Sequence, residues 1–279
     1  MSNKRSINLY LNRWGVVERE SVSKFVHVKS SSDLSGLNID FSEYTIDEDR
    51  FEAFYERHSY KKIPEYVNSP YEAVLVRKAL EHYISLDVVS KELNGSSIID
   101  IASSHSPFGR IARKEYQFKD YYKQDLSYPS GINGEMIGGD AAAMGLPDGS
   151  IDYMFLHNSW EHFEGFSDIA FLFEASRLLR KNGKVVIIPL DILSAPICAT
   201  SPSFWMDSVG KETMKWPVFD SRFKISIEEG IKQRLIKRHT LSTLNNDISE
   251  IKNLVPTIVS ITNPDKYKFQ KNFMMLNKR

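Results

Sequence analysis

Four short stretches of this sequence carry small or ionisable side chains of the kind that bind ligands and move protons. Asp100 is followed by Ala102, Ser103, Ser104, His105 and Ser106. Gln124 stands beside Asp125, Asp140 beside Ala141, and the segment HNSWEH from His157 to His162 adds Glu161 between its two histidines. A carboxylate accepts several hydrogen bonds at once, and histidine exchanges protons near neutral pH. No H-x-x-x-H or H-E-x-x-H spacing joins these residues, so no metal site is expected.

Each stretch follows a predicted strand. Ser97–Ile101 (SIIDI), Tyr121–Gln124, Glu135–Gly138 and Ile151–Leu156 are short apolar runs bounded by turn residues, and Lys184–Ile188 (KVVII) makes a fifth. Between them the period changes to that of helices. Tyr71–Leu93 is free of glycine and proline, repeats apolar residues at helical spacing and stops at Asn94-Gly95. A second helix, capped by Ser167, is expected to run to Lys181 before Asn182-Gly183. Strands alternating with helices imply a parallel sheet covered on both faces. Ligands bind such sheets beyond the carboxyl ends of the strands, so the four stretches should converge on one site, with the polarity a nucleoside needs. Further on, Ser226-Ile227-Glu228-Glu229 reads as a capping box opening a helix to about Lys237. The basic run from Lys232 to His239 reads as that helix's solvated face, or as a contact for a phosphate or acidic sugar. Thr257–Thr262 and Phe273–Asn277, separated by Asn263-Pro264-Asp265, should pair antiparallel.

Taken in order, these landmarks resemble a class I S-adenosylmethionine-dependent methyltransferase of the type 11 kind. IIDIASSHSPFG is similar to the family's first cofactor loop, which reads like LDIGCGxG, and YKQDLSYP resembles the strand whose terminal acid holds the ribose. GGDAAAMGLPDGSIDYMFLHNSWEHF and EASRLLRKNGKVVIIPL resemble the segments that follow. The likeness covers about residues 70–190. It implies S-adenosyl-L-methionine as cofactor, bound through Asp100, Ala102, Ser103, Ser104, His105, Gln124, Asp125, Asp140, Ala141 and His157. Asp125 would take the ribose hydroxyls, Asp140 the adenine amine, and Asp100 with the following loop the methionine part. His157 and His162 are candidates for a general base, with Glu161 as a second base or an orienter of histidine. Strand-end turns and structural histidines are the simpler roles for the same residues. The first loop departs from the pattern in having no glycine between Asp100 and Phe108.

The resemblance implies an α/β Rossmann-like methyltransferase fold: a mostly parallel seven-stranded sheet, helices on both faces and an antiparallel last strand. Residues 1–65 are expected as an N-terminal extension or cap, residues 66–279 as the methyltransferase domain, and residues 190–223 as a candidate substrate lid. Lys+Arg and Asp+Glu both total 36, which lacks the basic excess of a non-specific nucleic-acid binder. The single cysteine, Cys198, excludes an internal disulfide and suits a reducing cytoplasm. No stretch reads as a membrane span. The expected activity is therefore methyl transfer to a small molecule, with a sugar or glycan hydroxyl favoured by the Trp- and Tyr-rich surroundings. A non-catalytic binding module on the same fold is the alternative. A nicotinamide enzyme is disfavoured, because no G-x-G-x-x-G follows the first strand.

Overall fold

A computed structural model describes residues 26–67, 74–104, 106–206, 217–228, 230–231, 233–267, 269 and 271–279. Four strands expected from the sequence form the centre of its main sheet: β2 (Ser97–Ile101), β3 (Asp120–Asn133), β5 (Ile151–His157) and β6 (Leu179–Ile188). They run parallel, in register Ile99↔Tyr122, Ile99↔Met154 and Met154↔Val185. Beyond β6 come β11 (Asn272–Lys278), antiparallel, then β10 (Leu254–Ile261), paired antiparallel to β11 as expected. At the other edge lies β4 (Met136–Gly138). An eighth strand, β1 (Asp40–Tyr44), extends the sheet past β10, so part of the expected cap region is built into the main sheet.

Alternation along these strands divides the core in two. Ile99, Ile101, Met154, Leu156, Val185 and Ile187 face one side with α4 (Ser167–Leu178) and α6 (Leu241–Ser249). Ile98, Phe155, Val186 and Ile188 face the other with α1 (Glu48–Arg57), α2 (Leu75–Asp87) and α3 (Phe108–Glu115). Because both faces are covered, every residue of β2 is buried, which explains the unbroken apolar run.

Several expected elements are redrawn. Helix α2 ends at Asp87, which pairs with Arg50, and a separate 3-10 turn, Ser90–Glu92, follows. Helix α4 stops at Leu178, and Asn182 adopts a left-handed φ of 67° inside β6 rather than closing a helix. Among the described residues no helix follows the capping-box sequence at Ser226. The chain forms β8 (Lys224–Ile227) and β9 (Ile236–Arg238), which flank β7 (Ile197–Thr200) in a three-stranded sheet; a short helix α5 (Pro202–Met206) follows β7. Pairing with β7 outweighs the local capping signal, because it buries Ile225 and Leu235. Among the described residues no helix is long and apolar enough to cross a membrane.

Candidate active site

At the end of β2, Asp100 is 1% exposed and its Oδ1 lies 3.5 Å from Nδ1 of His157 on the neighbouring strand. Asp100 Oδ2 and His157 Nδ1 are buried without a hydrogen-bond partner. Burial pushes the Asp100 carboxyl above its ordinary range, with His157 opposing. His157 Nε2 is 3.0 Å from Ser85 Oγ, and its ring packs 4.4 Å from Phe108 and 5.0 Å from His82. His157 is therefore a half-buried neighbour of Asp100, set among aromatic rings.

The loop after β2 keeps a glycine-like shape without glycine. Ala102 has φ of 54° and Ser104 of 25°, at two positions where the resembled pattern carries glycine. Left-handed backbone costs an ordinary residue on the order of 1–2 kcal/mol. Neighbouring hydrogen bonds hold it there. Gln124, buried, accepts from Ala102 N–H at 3.1 Å and donates to Gly139 O at 2.6 Å. Ser103 N–H donates to Gln124 O, and Ser104 N–H donates to Asp125 Oδ2 at 2.9 Å. The Tyr128 hydroxyl donates to Ser104 O at 2.7 Å and lies 3.1 Å from Ser103 Oγ. Asp125 Oδ1 accepts from Ser127 N–H and Oγ–H, and Leu126 between them is 79% exposed. Asp140 is exposed and accepts from Ala142 N–H, while Ala141 is buried. Close approach matters at Gly138: a Cβ there would meet Pro129 O at 2.0 Å, so glycine lets β4 pass beneath the 127–130 segment. Ala102, Ser103, Ser104, Gln124 and Asp125 are thus brought into one network with Gly139, next to Asp140. His105, also expected at this site, lies outside the described residues.

A second group forms beyond β5 and β6. A cleft of about 170 Å³ is lined by Asn158, Glu161, His162, Asp191, Gln233 and Arg238, among others. His162 Nδ1 is 2.8 Å from Leu235 O. A carbonyl can only accept, so Nδ1 carries the hydrogen and the lone pair is on Nε2. That Nε2 lies 3.6 Å from Glu161 Oε1. Burial pushes the carboxyls of both Glu161 and Asp191 above their ordinary range. Of the three expected catalytic residues, the structure sets Glu161 and His162 together on this cleft and places His157 apart from it, half-buried beside Asp100.

Behind the cleft the basic run is not a solvated face. Lys237 and His239 are each 1% exposed. Lys237 Nζ is 2.9 Å from Asp168 and 3.5 Å from Asp220, and it donates to Gly165 O. Arg222 pairs with Asp220 and Asp247. His239 stacks on Trp160 at 4.6 Å, and burial, then Lys237, pushes it down to about 3. Burial pushes Asp247 up to about 7; Asp168 and Asp220 add to this, and Arg222 opposes it. Leu235, Lys237 and His239 alternate inward, but the residue types do not alternate with them, so the sequence carries no sign of the burial. The sequence reading also missed Tyr128 and Asp191. Asp191 follows the fifth expected strand, so the strand-end rule extended by one strand would have found it. Among the described residues no group of three histidine, cysteine or acidic side chains is arranged to hold a metal.

A family model described as a methyltransferase domain matches residues 110–187. No curated protein sequence matches the chain. Among solved structures, the chain is similar to 1,6-didemethyltoxoflavin-N1-methyltransferase of Burkholderia thailandensis, solved with S-adenosylhomocysteine, at 10% identity and a TM-score of 0.42, covering 93% of this chain and 96% of that one. It is also similar to geranyl diphosphate C-methyltransferase of Streptomyces coelicolor, at 13% identity and a TM-score of 0.43, covering 79% and 87%. The matched segment spans β5, α4 and most of β6, at the centre of a parallel sheet whose late strand runs antiparallel, and over it the chain is similar to a methyltransferase domain on a Rossmann-like fold.

Proposed function

We propose that the chain moves a methyl group from S-adenosylmethionine to a hydroxyl of a small polar acceptor, of which a sugar or glycan end is the kind expected from the sequence. The observation that supports this most is His162, whose Nε2 lone pair stands beside Glu161 on a polar cleft at the strand ends. The support for a sugar is the mixed donor and acceptor lining, not stacking, because Trp160 is buried and one ring face is taken by His239.

The residues at the first cofactor loop suit S-adenosylmethionine. The orphaned Asp100 Oδ2 would accept from its ammonium, Asp125 would hold the ribose hydroxyls, and Asp140 the adenine amine. Exposed Leu126 would cover an adenine face. Asp125 already accepts from three donors, and a carboxylate offers about four lone-pair sites, so ribose would displace the Ser127 contacts. Bound S-adenosylmethionine supplies a methyl carbon whose bond to sulfur breaks as the acceptor oxygen bonds to it, leaving a neutral thioether. His162 Nε2 takes the hydroxyl proton, and Glu161 stabilises the imidazolium that results. Leu235 O keeps the ring in the accepting tautomer. We propose residues 190–223 as part of the acceptor lid, of which residues 207–216 lie outside the described residues, and the buried thiol of Cys198 suits a cytoplasmic protein.

Calorimetry with S-adenosylhomocysteine tests the reading. Wild type should bind it; Asp125→Ala should lose about 100-fold in affinity, the worth of two charge-assisted hydrogen bonds, and His162→Gln should bind as wild type does. Folded wild type that does not bind would sink the proposal. The self-satisfied Asp125 also suits a non-catalytic module, and tight binding without turnover of any acceptor mixture would favour that second reading.

A further inference from the structure

The cleft beside His162 holds more carboxyl than one proton transfer uses. The Asp191 side chain lines it and makes no hydrogen bond or ion pair among the described residues, and Glu161 Oε1 stands 3.6 Å from the lone-pair nitrogen of His162. Two cations on the same wall are already paired. Arg238 pairs with Glu228 at 2.9 Å while drawing the Asp191 carboxyl down, and Lys237 pairs with Asp168 and Asp220. Among the described residues, carboxyls outnumber the unpaired cations on the cleft. A second observation concerns the buried wall. Trp160, 2% exposed, lines the cleft, and its indole Nε1 has no hydrogen-bond partner. The same is true of both ring nitrogens of His239, which is 1% exposed. An indole N–H only donates, so it is completed by an acceptor oxygen, and unpaired buried donors are costly.

We infer that the acceptor is a small amino alcohol of the amino-sugar kind, its ammonium held by Glu161 and Asp191 and its oxygens presented to Trp160 and His162. This rests on the methyltransferase reading of the same cleft. Desolvation of the two carboxyls, each discouraged from ionising while no ligand cation is present, adds to the preference for a bound cation. Where the two carboxyls are ionised they repel a phosphorylated sugar.

The test is calorimetry on the protein saturated with S-adenosylhomocysteine. The probes are glucosamine, galactosamine and mannosamine against glucose, N-acetylglucosamine and glucose 6-phosphate. At least one amine should bind ten times more tightly than its uncharged counterparts, and the phosphate should not bind. Asp191→Asn should cut the amine preference below threefold while S-adenosylhomocysteine affinity is kept, which also reports that the variant is folded. Equal binding of neutral and cationic sugars, binding of none, or a preference unchanged in Asp191→Asn overturns the inference while leaving the cofactor reading intact. Failure of the wild type to bind S-adenosylhomocysteine overturns both.

Discussion

At the first cofactor loop, Gln124, Asp125 and Tyr128 hold a glycine-free turn by hydrogen bonds at a partly open strand end. Behind the acceptor cleft, Lys237, Arg222 and three aspartates are joined as charges, and four of those five side chains are at most 3% exposed. The two regions react differently to loss of a partner. At the loop, water can replace the exposed bonds from Asp125 and Tyr128 to Ser104, so that part of the turn can rearrange around a ligand at small cost. In the cluster, water cannot reach the survivor, and an unpaired buried charge costs several kcal/mol. One end of the sheet is built to be remade, and the other to stay fixed while it presents Leu235 O to His162.

The largest expected effect breaks the fixed end. Lys237→Met takes the nearest cation from Asp168 and leaves Arg222, 4.0 Å away, to serve both it and Asp220, and should cost about 3–5 kcal/mol in urea unfolding. A loss under about 1 kcal/mol would mean that the cluster is solvated and the contrast false.

A smaller effect sharpens the contrast through pH. Asp247 sits at about 7 when folded and at its ordinary 3.8 when unfolded. Between those values the folded state binds the extra proton, so this group's contribution is whole below about pH 4 and lost as pH rises through about 7. Asp247→Asn cannot titrate. Its stability relative to wild type should rise by on the order of 2–4 kcal/mol from pH 4 to pH 8. His239 has the opposite sign: held near 3, it favours the folded state more as pH rises through its ordinary 6.5. Wild-type stability alone therefore blurs the trend, and the difference between the two proteins is what must be followed. A difference that stays constant across that range would place Asp247 in solvent.

The same contrast explains what could be read in the sequence. Strands such as SIIDI and KVVII announce themselves because burial on both faces demands continuous apolar residues, and strand-end residues such as Asp125 follow from the geometry of parallel sheets. The small sheet was hidden. Its strands are three or four residues long, Ser226-to-Glu229 imitates a helix start, and Lys237 counts as a surface residue until Asp168 and Asp220, distant in sequence, meet it. Pairing between segments that far apart leaves no local period. His157 and His162 were equivalent candidates because what separates them, a carbonyl from residue 235 and a hydroxyl from residue 85, is also distant.

The smallest effect belongs to the loop that lacks glycine. Ala102 bears a Cβ at φ of 54°, where left-handed backbone costs about 1–2 kcal/mol, and glycine there would remove that strain but lose more entropy on folding, about 0.5–1 kcal/mol. Ala102→Gly should therefore raise stability by about 0.5–1 kcal/mol, a gain in Tm of about 2–3 °C by differential scanning fluorimetry. The Ala102 N–H bond to Gln124 is a backbone contact and survives the change, so the gain isolates the strain. A loss of stability would show that Ala102 is not left-handed, and that the loop does not reproduce the glycine shape its sequence abandoned.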